Sequence, residues 1–157
     1  DVEIIWTTRE GFEKIKSRIE KIATVETIEN AREIEVARSH GDLRENSEFK
    51  FAQEKRSRLQ SELKFLSDQV KVMRVLTEED IDISCVNIGC VVDLENEGGE
   101  RLSYSLLSPW DANPEKNILS SQSKLAKKMI GLNIGDECAV QGKVWKIDSI
   151  KSIYQRK

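Results

Sequence analysis

Proline is almost missing from this 157-residue chain, with only Pro109 and Pro114, and cysteine, histidine and aromatic residues are scarce as well. The three cysteines, Cys85, Cys90 and Cys138, form no Cys-x-x-Cys pair, and an odd number cannot pair completely. They read as buried or incidental thiols of a reducing compartment, and a disulfide framework is excluded. His40 is the single histidine, with no second imidazole or cysteine beside it. No apolar run approaches the roughly 18 residues of a membrane span, and no signal-peptide pattern leads the chain, so a soluble, cytoplasmic protein is expected. Neither sign of charge dominates. The net charge of -3 argues against binding nucleic acid through overall charge and leaves local patches open. Asp1 in place of methionine is what a processed chain, or the excised end of a longer one, would show.

What is abundant is charge, at 34% of residues, beside a hydrophobic share of 38%; this is the balance of a chain with long solvated helices and a real core. Ile4, Ile5 and Trp6 make an apolar lead-in, and Thr7 and Glu10 stand at capping-box spacing, so a helix is expected to begin there. Phe12, Ile15, Ile19 and Ile22 form one stripe. Beyond Ile22 the stripe slips to Val25, Ile28, Ala31 and Ile34, which predicts a kink or stutter inside a continuing helix. Asn46 suits the N-cap of a second helix, whose Phe49, Ala52, Arg56, Leu59, Leu63, Leu66, Val70 and Met73 keep heptad spacing. The two helices should fold into an antiparallel coiled-coil hairpin over residues 1–79, with its tip at 41–46.

Past Thr77-Glu78-Glu79-Asp80 the pattern turns to short alternating runs, the sign of a second domain over residues 80–157. Ile88, Cys90, Val92 and Leu94 alternate, Gly98-Gly99 turns, and Leu102, Tyr104 and Leu106 alternate back. A loop over 108–117 holds both prolines. A short strand at Ile118-Leu119, a short helix capped by Ser123 and closed by Gly131, and two strands joined at Gln141-Gly142 complete an α+β domain.

Asp42 and Glu45, three apart, can share one cation from one helical face, and they equally suit the capping of a helix N-terminus. Two carboxylates alone hold magnesium weakly, so a site built on them looks half-complete. His40 can cap the first helix or serve in catalysis. Lys55, Arg56 and Arg58 can contact phosphates or pair with Glu29 and Glu33 across the helices. Trp110, Trp145 and Tyr104 can line a peptide groove or fill the core.

Ala37-Arg38-Ser39-His40-Gly41-Asp42-Leu43-Arg44-Glu45-Asn46, followed by Glu48-Phe49 and Ala52, closely resembles the tip of the bacterial Gre transcript-cleavage factors, those of the GreA type above all. Thr8-Arg9-Glu10-Gly11, the stretch from Tyr104 to Glu115, and Leu125 to Asp136 are similar to further family segments, so the likeness spans the chain. The resemblance implies an antiparallel coiled-coil domain followed by a small FKBP-like antiparallel-sheet domain with one short helix. It implies a transcription elongation factor that inserts its coiled coil into the secondary channel of RNA polymerase while the C-terminal domain grips the rim. Asp42 and Glu45 are then the catalytic pair. They hold a magnesium ion shared with the polymerase active site, not bound by the free protein, and promote hydrolysis of backtracked RNA near its 3' end. Arg38, Arg44, Lys55, Arg56 and Arg58 become candidates for contact with that RNA, and Gly41, Asn46 and Phe49 shape the tip. The factor is a monomer that activates the polymerase instead of catalysing alone. Gln53 stands where the family commonly has a basic residue, Phe49 replaces the usual tyrosine, and Ser123-Lys124 replaces Ser-Pro.

Three rivals follow. One is a channel-binding inhibitor of the same shape without cleavage activity. Another is an FKBP-like peptide-binding or prolyl isomerase module, and the last is a plain coiled-coil scaffold for which the tip acids are dispensable.

Overall fold

The computed structural model describes residues 3–41 and 46–155. The chain forms two compact units, residues 13–72 and a second made of 1–12 with 73–157.

In the helical unit α1 (Arg9–Lys21), a π-helical turn (Ile22–Glu26) and α2 (Thr27–Ser39) follow without a break. The π turn falls where the apolar stripe slips. Its extra residue per turn, visible as Thr27 N–H reaching the Ile22 carbonyl, rotates the buried line so that Ile15 and Ile22 are continued by Asn30, Ile34 and Ala37. Val25 and Ile28, which the slipped stripe counts as seam residues, are exposed. Thr24 helps to open the turn by bonding the Glu20 carbonyl at 2.8 Å.

α3 (Ser47–Lys71) buries Ala52, Leu59 and Leu66, whereas Leu63 and Val70 are half-buried and Arg56 is exposed. Arg18 meets Glu62 in a bidentate pair, both bonds at 2.8 Å, and also meets Glu26, which ties the π turn to α3. The Arg18 guanidinium holds the Glu62 carboxyl below its ordinary pKa, against the opposing pull of desolvation. Asn30, buried, donates to the Ala52 carbonyl at 3.0 Å, and Lys55 pairs with Glu33 at 2.8 Å. Going up the chain from Arg18 to Asn30 and Glu33, the partners on α3 go down from Glu62 to Lys55 and Ala52, so the helices run antiparallel.

The heptad pattern carries the second helix through Met73, but α3 stops at Lys71. Met73–Val75 is instead a strand, β2, in a parallel ladder with β1 (Ile5–Thr7). Thr7, Met73 and Leu76 are buried there, and Leu76 N–H bonds the Thr7 carbonyl at 2.7 Å. The boundary at residue 80 follows the change in sequence pattern, while the compact units follow this ladder.

The cap of α1 is also not the one the spacing suggests. Thr7 lies within β1, and Thr8 does the capping, accepting from Gly11 N–H at 3.1 Å. The acid that answers the cap is remote. Asp111 accepts from Thr7 Oγ1 at 2.9 Å, Thr8 N–H at 3.1 Å, Ser108 Oγ at 2.7 Å and Thr8 Oγ1. A Cβ at Gly11 would collide with that carboxylate and with the Thr7 hydroxyl, which explains the glycine in the first turn.

The larger sheet has the order β5-β4-β3-β7-β6, with β3 (Cys90–Glu95), β4 (Arg101–Leu107), β5 (Ile118–Ser120), β6 (Glu137–Val140) and β7 (Lys143–Ser152). Val92 faces Tyr104 and Leu94 faces Leu102, as the alternation requires. The sheet is mixed, not wholly antiparallel, because β5 joins β4 in parallel. The ten residues between them, including left-handed Asn117, form the crossover that a parallel pair needs. Ser123 accepts from Ala126 N–H at 3.2 Å to cap α4 (Lys124–Met129), whose Ala126 and Met129 pack into the core beneath the sheet. Tyr104 and Trp145 belong to this core, Trp145 bonding the Val140 carbonyl, so the core reading of these two aromatics holds over a peptide groove.

Leu66 is 3% exposed in the helical seam. Leu66→Ala should therefore lower stability by about 2–5 kcal/mol in urea titration, and a change below the scatter of the measurement would contradict the seam.

Candidate functional site

The end of α2 and the start of α3 are joined by three cross-ties. His40 is the C-cap residue of α2, its N–H bonding the Ala37 carbonyl at 3.2 Å. Gly41 follows with φ +112°, a conformation in which a side chain would be strained. At the other edge Asn46 caps α3, its Oδ1 accepting from Phe49 N–H at 3.0 Å. Its Nδ2 also donates to the Ala37 carbonyl, the same oxygen that His40 uses. One carboxamide thus closes the last turn of one helix onto the first turn of the next.

Two further contacts reinforce the join. His40 Nδ1 lies 2.9 Å from Glu48 Oε2 in an exposed pair, so His40 holds the C-cap position of α2 through its backbone while its ring reaches across to α3. The Arg38 guanidinium sits 5.8 Å from the Phe49 ring centroid and pairs with Glu35 at 3.6 Å. Phe49, half-buried, needs no hydroxyl for this contact. Asp42 and Glu45, the predicted catalytic and metal-holding pair, lie outside the described residues, and so does Arg44.

Of the predicted basic residues, Lys55 is taken by Glu33. Arg56 and Arg58 are exposed and form no ion pair with another described residue. Arg38 and Arg56 line a shallow cleft of about 420 Å³ over Asn30 and Ile34, with Glu35 beside them. The spacing did not single out Asn30 or Asp111. Asn30 stands in a stripe that counts only apolar residues, and Asp111 acts on a helix about one hundred positions away.

Sequence comparison speaks to the same chain. Residues 5–75 match a family model described as transcription elongation factor, N-terminal, and residues 78–152 match one described as transcription elongation factor, GreA/GreB, C-term. The chain belongs to the GreA/GreB family of transcription elongation factors. A transcription elongation factor GreA of Nautilia profundicola is 35% identical over 148 residues, covering 91% of either chain. One of Chlamydia pneumoniae is 46% identical over 152 residues, or 97% of this chain. This chain spans only 21% of the length of that Chlamydia relative. The crystal structure of GreA factor homolog 1 from Thermus thermophilus aligns over 96% of this chain and all of its own, with 22% identity and a TM-score of 0.45. The relatives bearing the GreA name are bacterial, and no helix among the described residues is long and apolar enough to cross a membrane.

Asn46 is the residue on which the join depends. Asn46→Ala, which loses both bonds, should lower the stability of the helical signal by about 1–2 kcal/mol in urea titration. Asn46→Asp keeps the acceptor for Phe49 N–H and loses only the donor, so it should fall between; Asn46→Ala as stable as the parent would refute the double tie.

Proposed function

We propose that this chain is a transcript-cleavage factor for bacterial RNA polymerase, acting in the cytoplasm as a monomer. In this reading its helices form an antiparallel coiled-coil hairpin that enters the polymerase secondary channel, and an FKBP-like C-terminal domain docks at the rim. The observation that carries it is the place of Asp42 and Glu45 in the chain. They fall between the two helix ends that Asn46 joins, in a family of elongation factors. A helix cap does not need them, because Asn46 already caps α3.

Two carboxylates are oxygen donors of the kind magnesium takes, and too few to fill its octahedral shell. In this reading Asp42 and Glu45 hold the ion jointly with acidic groups of the polymerase, which make up the ligands that two carboxylates lack. Held by Asp42 and Glu45 there, a magnesium ion would supply Lewis-acid chemistry for a water and the scissile phosphate. Asp42 and Glu45 contribute their charge and position, and the polymerase supplies the rest, so the chain activates hydrolysis without being an enzyme by itself. Arg56 and Arg58, with no carboxylate partner among the described residues, meet the phosphates of the extruded RNA in this reading, together with Arg44. Lys55 and Arg38 do so only by leaving Glu33 and the Phe49 ring.

Backtracked polymerase incubated with the chain and magnesium should release shortened RNA. Asp42→Asn or Glu45→Gln should reduce that release at least about a hundredfold while polymerase binding persists. Cleavage by both variants at the parent rate would overturn the assignment and favour the plain scaffold.

A further inference from the structure

Two of the three thiols stand apart from everything above. Cys90 opens β3 and is fully buried, while Cys85 lies half-buried in the irregular segment before it. Between them the chain turns back on itself, with Cys90 N–H bonding the Asn87 carbonyl at 3.2 Å and Gly89 in the left-handed region at φ +88°. The turn aims Cys90 Sγ into the preceding segment. It sits 3.4 Å from the Asp82 carbonyl oxygen and 3.8 Å from that of Cys85. Burial pushes the Cys90 thiol up, and the neighbouring Cys85 raises it further, so the buried thiol keeps its proton while the outer one meets solvent. Cys138 belongs to β6 in the sheet core, away from this turn in sequence.

We propose that Cys85 and Cys90 are an oxidisable pair that closes to an intramolecular disulfide when the protein meets a hydroperoxide. The outer Cys85 sulfur attacks a peroxide oxygen, the O–O bond breaks, and one water leaves a sulfenic acid on Cys85. The Cys90 sulfur then attacks the Cys85 sulfur, the S–O bond breaks, and the hydroxyl departs as a second water with the Cys90 proton. Two electrons pass from the two thiols to the peroxide, and atoms balance with hydrogen peroxide as the oxidant. In a reducing compartment such a bond is transient and signals oxidant exposure. It would pin the segment from Asp82 to Cys90, where the Gly89 backbone packs closely against Leu76 and Ile81.

The test treats the full chain with excess hydrogen peroxide, denatures it, alkylates free thiols with iodoacetamide and reads intact mass and peptide maps. The pair predicts one alkylated thiol, Cys138, instead of three, a loss of two hydrogens, and a cross-linked peptide joining Cys85 to Cys90. Dithiothreitol should restore all three sites. Cys138→Ser should leave the cross-link unchanged, and Cys85→Ser should abolish it. Three thiols still alkylated after peroxide, a cross-link through Cys138, or Cys85 driven to sulfinic acid with Cys90 still alkylatable would each overturn the proposal.

Discussion

The Ala37 carbonyl at the end of α2 receives two donors, the His40 backbone N–H and the Asn46 carboxamide, and the helical unit depends on that convergence. A helix leaves its last carbonyls and its first N–H groups without partners, and a chain that ends one helix and starts another within a few residues must satisfy both sets at once. Asn46 does this with opposite ends of one side chain. Its oxygen stops the fraying of α3 and its nitrogen holds the end of α2. The His40–Glu48 pair and the Arg38–Phe49 contact then add lateral ties between the two solvated helix ends.

Farther along the pair, a different balance applies. Asn30 is a buried polar side chain in an otherwise apolar seam, and its bond to the Ala52 carbonyl accepts only one alignment of the helices. Hydrophobic contacts tolerate sliding, whereas a buried amide left unpaired costs about 1–3 kcal/mol, so Asn30 supplies register more than stability. Arg18 has the same role across the π turn, holding Glu26 and Glu62 with one guanidinium. The π turn is thus fixed by polar ties as well as by the change in the apolar stripe.

How much of this can be read along the chain depends on how far its causes lie apart. The slip after Ile22, the Asn46 cap, the Leu59–Leu66 seam, the β3–β4 pairing and the short helix behind Ser123 all have their determinants within a few residues, and periodicity or capping chemistry reveals them. Three features escape because their causes are remote. The Thr8 cap is completed by Asp111, the last residues of the heptad run are taken into a strand by Ile5–Thr7, and β5 is turned parallel by the crossover after Leu107. In the candidate site, the tip motif and its basic neighbours are legible as residues. Their division is not, because it follows from which carboxylate or ring stands opposite: among the described residues Lys55 and Arg38 are engaged, and Arg56 and Arg58 are not.

Two carboxylates are too few to fill the octahedral shell of magnesium, which suits Asp42 and Glu45 to complete a site instead of owning one. The central claim is that Asp42 and Glu45 hold magnesium only together with a partner. Calorimetric titration of magnesium into the isolated chain tests it most directly. No saturable binding at micromolar magnesium is predicted, because a two-carboxylate set leaves most of the octahedral shell to water. A saturable micromolar site abolished by Asp42→Asn would show that the chain owns a complete metal centre and would contradict the account.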